Sequence, residues 1–267
     1  MFWSLAIFHL SIESMKLNIA ASKKVYFASD FHLGVPTAQK SRERELKIVR
    51  WLDECKKDAQ AIFLVGDLFD FWFEYKTTIP KGFSRFQGKL AELVDEGIEL
   101  HVFTGNHDLW MFGYFEQEFN AKVYKEPLEL DINGTSLFVA HGDGLGPGDN
   151  GYKFLKKVFT NNFFQWCFHW LHPNVGIGLA NFWSGKSRAQ ANNTEQRFLG
   201  EEEWLWTFAK EQEKLKHHDY YLFGHRHLPL DLEVGYSSRY INLGEWLNYY
   251  TYGVYSDGKV ELKTFEG

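Results

Sequence analysis

The chain is predicted to fold as an α/β sandwich of two stacked sheets flanked by helices, and three observations predict it. Apolar β-forming runs alternate with amphipathic helical stretches through the first half, the final third is nearly all strands, and five strands each end in a short polar stretch rich in Asp, Asn and His. At 267 residues and 45% hydrophobic, the chain can bury one substantial core, and a single α/β domain of this length is ordinary. A formal charge of −6 supplies no basic excess, which argues against a dedicated nucleic-acid binder. The two cysteines, Cys55 and Cys167, do not make a disulfide framework and fit a reducing compartment.

Residues 1–22 are read as an N-terminal arm. The run MFWSLAIFHLSIES lacks a basic leader and a small-residue cleavage site, and its apolar part is too short to span a bilayer. Met15 offers an alternative start, so the arm is either loose or a mis-assigned beginning. The domain proper is expected over 23–267, with strands at 25–28, 62–65 and 101–103. Between them lie two helices. Residues 43–57 place apolar side chains at 46, 48, 49, 52 and 55, as a helix packed on a sheet requires, and 83–95 repeats the pattern before Gly97 stops it. Asn133-Gly134 is the best hairpin turn and leads into a strand at 137–140. Strands follow at 220–223, 230–234, 239–242, 250–255 and 259–264, with Ser256-Asp257-Gly258 as the last turn. Between His141 and residue 220 the composition changes, and a helical insertion rich in Phe and Trp is expected at about 150–198. No stretch elsewhere is apolar enough for a membrane span.

Seven side chains after strand ends carry the chemistry: Asp30 and His32 in SDFHLG, Asp67 in VGDLFD, Asn106 in TGNHD, His141 in AHGD, and His225 with His227 in FGHRH. Any one fragment alone is more often turn chemistry or a helix cap than a ligand. Five together, each beyond a strand, converge on one cleft, because open α/β sheets gather ligands outside the carboxyl ends of their strands. Glycines 34, 66, 105, 142 and 224 suit the sharp turns this needs. A mixed carboxylate, amide and imidazole set suits manganese, iron or zinc. Two such ions about 3.5–4 Å apart can activate a water and clamp phosphoryl oxygens during in-line attack.

The order D-x-H, G-D, G-N-H-D, H-G-D, G-H-x-H resembles the calcineurin-like metallophosphoesterase superfamily, and it covers Asp30 to His227. DLFDFWFEY, HGDGLGPGD, the aromatic segment and FGHRHLPL are similar to UDP-2,3-diacylglucosamine hydrolases, in their Bacteroidetes-type branch. The resemblance implies a four-layer αββα sandwich with a helical lid insertion. It also implies two divalent metals, manganese before iron or zinc: Asp30, His32, Asp67 and His227 hold one, and Asp67, Asn106, His141 and His225 the other, with Asp67 bridging. His107, Asp108 and Asn106 become the catalytic residues, His107 supporting the transition state or protonating the leaving oxygen. This chain reads G-N-H-D where well-known members carry G-N-R-D. Asp108 is either the orienter of His107 or a helix cap, and Asp70 either supports the site or is a solvated carboxylate.

The same resemblance implies a substrate, UDP-2,3-diacylglucosamine, cleaved to UMP and 2,3-diacylglucosamine 1-phosphate for lipid A synthesis. Substrate contacts are then expected at Asn106, His107, Asp149, Lys186, Ser187, Arg188 and His225. The insertion becomes a lid whose Phe163, Phe164, Trp166 and Trp170 face lipid while Lys153, Lys156 and Lys157 face lipid phosphates. Alternatively, the aromatics only seat the insertion on the domain. A peripheral enzyme on the cytoplasmic face of the inner membrane is expected. Another nucleotide, phosphoprotein or phosphodiester substrate, or a binding scaffold, is the competing reading.

Overall fold

The computed structural model describes residues 12–147, 150–180 and 197–267. Two six-stranded sheets face each other. One runs β12-β11-β2-β3-β4-β5, from strands Lys24–Ala28 (β2), Ala59–Val65 (β3), Glu99–Phe103 (β4), Lys122–Tyr124 (β5), Thr251–Ser256 (β11) and Lys259–Thr264 (β12). The other runs β1-β6-β7-β8-β10-β9, from Glu13–Leu17 (β1), Leu128–Ile132 (β6), Thr135–Ala140 (β7), Tyr220–Phe223 (β8), Pro229–Val234 (β9) and Ser238–Leu243 (β10).

Alternation along the strands sets the layers, because successive side chains point to opposite faces. Val25 and Phe27 of β2, and Ala61, Phe63 and Val65 of β3, meet Leu137, Val139, Leu222 and Ile241 of the opposite sheet in the inter-sheet core. Their neighbours Tyr26, Ala28, Ile62 and Leu64 face the other way, against Ile48, Trp51 and Leu52 of α1 (Ala38–Cys55) and Phe86, Leu90 and Leu93 of α2 (Ser84–Asp95). On the far side Phe138, Tyr221 and Phe223 pack on Leu205, Phe208 and Ala209 of Trp204–Leu215, designated α7. Four layers, αββα, result. Strands buried on both faces explain why the sequence reads as continuous apolar runs.

Helix α1 begins five residues before the expected 43, because Thr37 caps it by accepting the Lys40 N–H at 3.2 Å. The arm expected over 1–22 also needs correction. Residues 13–17 are the edge strand β1, paired in parallel with β6 from Glu13 opposite Leu128 to Leu17 opposite Ile132. Leu17 is buried between the sheets, and that apolar contact holds the segment down. Short elements α3 (Tyr114–Phe119) and β5, together with α7, lie outside the expected set.

After β7 the chain leaves as α4 (Asn150–Phe159) and α5 (Asn162–His169), then a helical segment at 173–180 (α6). Asn161 caps α5 by accepting the Phe163 N–H. The insertion seats through a few rings: Phe168 lies 4.7 Å from both Trp110 and Phe73, centroid to centroid, and Trp110 donates its indole N–H to the Phe159 carbonyl. No helix among the described residues is long and apolar enough to cross a membrane.

Candidate metal centre

Every one of the seven expected ligands lies beyond a strand end, and five of them, Asp30, His32, Asp67, His225 and His227, adopt positive φ between 44° and 65°. Left-handed backbone costs a non-glycine residue roughly 1–3 kcal/mol and persists only where surrounding contacts impose it. Those contacts are visible. The Asp30 N–H donates to the Gly66 carbonyl, His32 N–H to the Asp67 carbonyl, and Trp246 N–H to the Asp30 carbonyl. The His225 N–H donates to Asp30 Oδ2 at 3.0 Å. Two glycines make room: a Cβ at Gly105 would lie 2.2 Å from Asp67 Oδ1, and one at Gly224 would lie 2.5 Å from Asp30 Oδ2.

The ligands form two groups that share Asp67. Asp30, His32, Asp67 and His227 offer atoms within 4.8 Å of one another, as do Asp67, His141 and His225. In the first, the His32 and His227 Nε2 atoms are 3.0 Å apart, and His227 Nε2 is 3.1 Å from Asp30 Oδ1. In the second, Asn106 Oδ1 lies 2.9 Å from His225 Nδ1 and 3.2 Å from His141 Nε2. Asp67 Oδ2 faces both groups, 3.8 Å from His32 Nε2 and 3.4 Å from His141 Nε2. It is buried and accepts no hydrogen bond, while Oδ1 takes the His107 N–H at 2.8 Å.

These residues fit metal ions. Buried Asp30 Oδ1 and Asp67 Oδ2 have no hydrogen-bond donor, a state costly for a carboxylate unless a cation compensates it. His141 donates its Nδ1–H to the Val65 carbonyl at 2.8 Å, so Nε2 presents a lone pair to the site. Burial lowers His32 and His225 to about 4, keeping both in the neutral form that binds metal. Burial would also lower His141, but Asp67, and behind it Asp30, outweigh it and raise His141 to about 10. Burial likewise works against Asp67 and Asp30, yet the surrounding histidines hold both below the usual carboxylate range. The cluster therefore attracts positive charge.

The neighbours sort differently from expectation. Asp108 does not orient His107. Its carboxylate is fully buried and accepts four backbone N–H groups, from Gly105 (2.7 Å), Leu68 (2.7 Å), Asp67 (3.3 Å) and Phe69 (3.4 Å). It ties the Asp67 loop to the Asn106 loop. Burial, then Asp67, push its pKa up to about 7 against those four donors. His107 is held instead by Asp70, whose backbone carbonyl accepts the Nδ1–H at 2.9 Å and whose Oδ1 lies 3.8 Å away.

Lys153 and Lys156 do not face lipid either. Lys156 Nζ is 2.5 Å from Asp143 Oδ2, and Lys153 donates to the Gly146 carbonyl at 2.7 Å. By contrast Phe163, Phe164, Trp166 and Trp170 are 49–73% exposed. The seating reading thus holds for Phe168 and not for these four exposed rings. Asp149, Lys186, Ser187 and Arg188 lie outside the described residues. Asp143 and Arg226, both buried beside ligand histidines, were not singled out in the sequence.

The αββα architecture and two ligand groups sharing one carboxylate define a metallophosphoesterase. The model of the family described as calcineurin-like phosphoesterase matches residues 23–229, and the chain belongs to that family. Among curated relatives, the UDP-2,3-diacylglucosamine hydrolase of Porphyromonas gingivalis is 36% identical over 259 residues, covering 91% of this chain and 98% of that protein. The protein of the same name from Aeromonas hydrophila is 26% identical over 229 residues, 82% and 89% of the two chains. A solved Thermotoga maritima structure aligns over 91% of this chain and 99% of its own, at 18% identity and a TM-score of 0.40.

Proposed function

We propose that the protein hydrolyses the diphosphate bond of UDP-2,3-diacylglucosamine, giving UMP and 2,3-diacylglucosamine 1-phosphate in lipid A biosynthesis. The observation that carries the reaction class is Asp67 Oδ2, buried, without a hydrogen-bond donor, and facing both ligand groups. Support for the substrate comes from the relatives named above, whose similarity runs nearly end to end in the Porphyromonas gingivalis case.

Asp30, His32, Asp67 and His227 would hold one divalent ion, and Asp67, Asn106, His141 and His225 the other. Manganese is the metal we assign, and iron or zinc suits the same donors. Bound there, the ions would acidify a water and neutralise phosphoryl charge. The protein's own contribution is alignment and proton handling. Asp67 fixes the separation of the two groups. His107, its tautomer set by the Asp70 carbonyl, presents Nε2 as the group that stabilises or protonates a phosphoryl or leaving oxygen. Asn106 and His225 then serve substrate as well as metal, and Asp149, Lys186, Ser187 and Arg188 complete the substrate contacts.

We take the two-sheet body, from strand β1 onward, as the catalytic domain and about 150–198 as its lid. The exposed rings of α5 suit acyl chains and a membrane surface, which supports a peripheral enzyme on the cytoplasmic face of the inner membrane. No nucleic acid enters this reading. The test is turnover by metal-stripped protein resupplied with manganese, on the diacyl substrate, a short-chain analogue and bis(p-nitrophenyl) phosphate. UMP release with strong preference for the diacyl substrate is expected. Turnover of the generic diester alone would keep the metal chemistry and refute the substrate.

A further inference from the structure

The insertion and the segment that leads from it into α7 are tied to the metal centre, and each tie runs through a buried charged residue next to a ligand histidine. At the near end, Asp143 lies two residues after His141. Its Oδ2 accepts from Lys156 Nζ at 2.5 Å and from the Tyr152 hydroxyl at 2.7 Å, both on α4. The Tyr152 ring stands 6.4 Å from the His225 ring, centroid to centroid. At the far end, Arg226 sits between His225 and His227. Its side chain turns away from the metal ligands into the protein interior. There its guanidinium meets Glu203, at the start of α7, through two bonds of 2.5 and 3.1 Å, and both side chains are 0% exposed. The same guanidinium donates to the Arg197 carbonyl at 3.1 Å and lies 4.5 Å above the Trp204 ring.

Both ties end on loops that carry His141 and His225, which with Asn106 and Asp67 form one of the two ligand groups. A buried bidentate ion pair has little freedom to give, so displacement of residues 197–203 is passed to the left-handed turn at His225 and His227. Residues that orient ligands typically cost about 10–100-fold in metal affinity when lost, and these two would do so through the turns that carry His141 and His225. We infer that Asp143 and Arg226 are positioning residues, through which the insertion and the 197–203 segment after it set the ligand geometry of the Asn106–His141–His225 metal subsite. The inference rests on the two-metal reading above.

The experiment is manganese titration of the stripped full-length protein, followed by calorimetry and by the electron paramagnetic resonance signal of a coupled manganese pair. The variants are Asp143→Asn, Arg226→Lys and the double Arg226→Met/Glu203→Leu. The double variant removes both buried charges together, which is gentler on folding than removing one. Wild type is expected to bind two ions. The variants should bind one ion as wild type does and the second about 10–100-fold more weakly, with the coupled signal reduced and the turnover of bis(p-nitrophenyl) phosphate restored by excess manganese. A lowered melting temperature with both affinities unchanged would make the ties merely structural and overturn the inference. So would a raised KM for lipid substrate alone. If wild type itself binds fewer than two ions, the two-metal reading fails, and this inference with it.

Discussion

His107 donates its Nδ1–H to the backbone carbonyl of Asp70 at 2.9 Å, while Asp108, its neighbour in sequence, turns its carboxylate away to four backbone amides. The imidazole is therefore oriented by a residue from a different loop. His107→Ala should lower kcat by about 10²–10⁴-fold, the usual range for a positioned acid or base. Because no ligand is removed, manganese stoichiometry should stay at the wild-type value. Loss of a metal alongside activity would assign His107 to structure instead.

Asp108→Asn should be poorly tolerated despite its similar shape. Either amide orientation places an NH2 group against two backbone N–H donors, and Asp108→Ala leaves all four unsatisfied. A stability loss of about 3 kcal/mol or more is expected for the alanine variant in urea unfolding. The asparagine variant should also be destabilised. Wild-type stability in both would mean that the buried carboxylate is not what joins the two loops.

The pH dependence follows from His141. Its pKa is raised from 6.5 to about 10 in the bare protein, so the stability it contributes is fully present below 6.5 and is lost as pH rises through about 10. A bound metal takes the place of that proton. Between pH 7 and 9 the melting temperature of stripped protein should fall by several degrees more than that of manganese-loaded protein. Parallel curves would contradict the assignment of His141 as a ligand.

The exposed rings of α5 should be separable from folding. Replacing Phe163, Phe164 and Trp166 by serine removes side chains that are 63%, 49% and 58% exposed, so the melting temperature should hardly change. KM for the diacyl substrate should rise about tenfold or more, at roughly 1–3 kcal/mol for each apolar side chain desolvated by lipid. Turnover of bis(p-nitrophenyl) phosphate should stay level. Equal losses on both substrates would show that the rings support the domain.

Much of the centre could be read before any coordinates, for a physical reason. Ligands at strand ends leave a local signature, an apolar run followed by Asp, Asn or His in a glycine-bearing turn, and all seven residues so marked converge. The supporting residues were harder to see. Adjacency favoured Asp108 over Asp70 as the partner of His107, because the Asp70 link runs through a backbone carbonyl that no residue type announces. Glu203 and Arg226 are 23 positions apart, and only the packing of α7 on the sheet brings them together. Arg226 sits in a turn rather than a strand, so no alternation in the sequence announced its burial. Strands β1 and β5 escaped notice because β1 lies in an unpromising leader and β5 is only three residues long.

The most direct measurement is UMP release from UDP-2,3-diacylglucosamine by wild type and Asp67→Ala, both saturated with manganese. Wild type should turn over the substrate, and removal of the shared carboxylate should abolish release. Near-wild-type turnover by Asp67→Ala, or no UMP from the wild type, would contradict a two-metal diphosphate hydrolase.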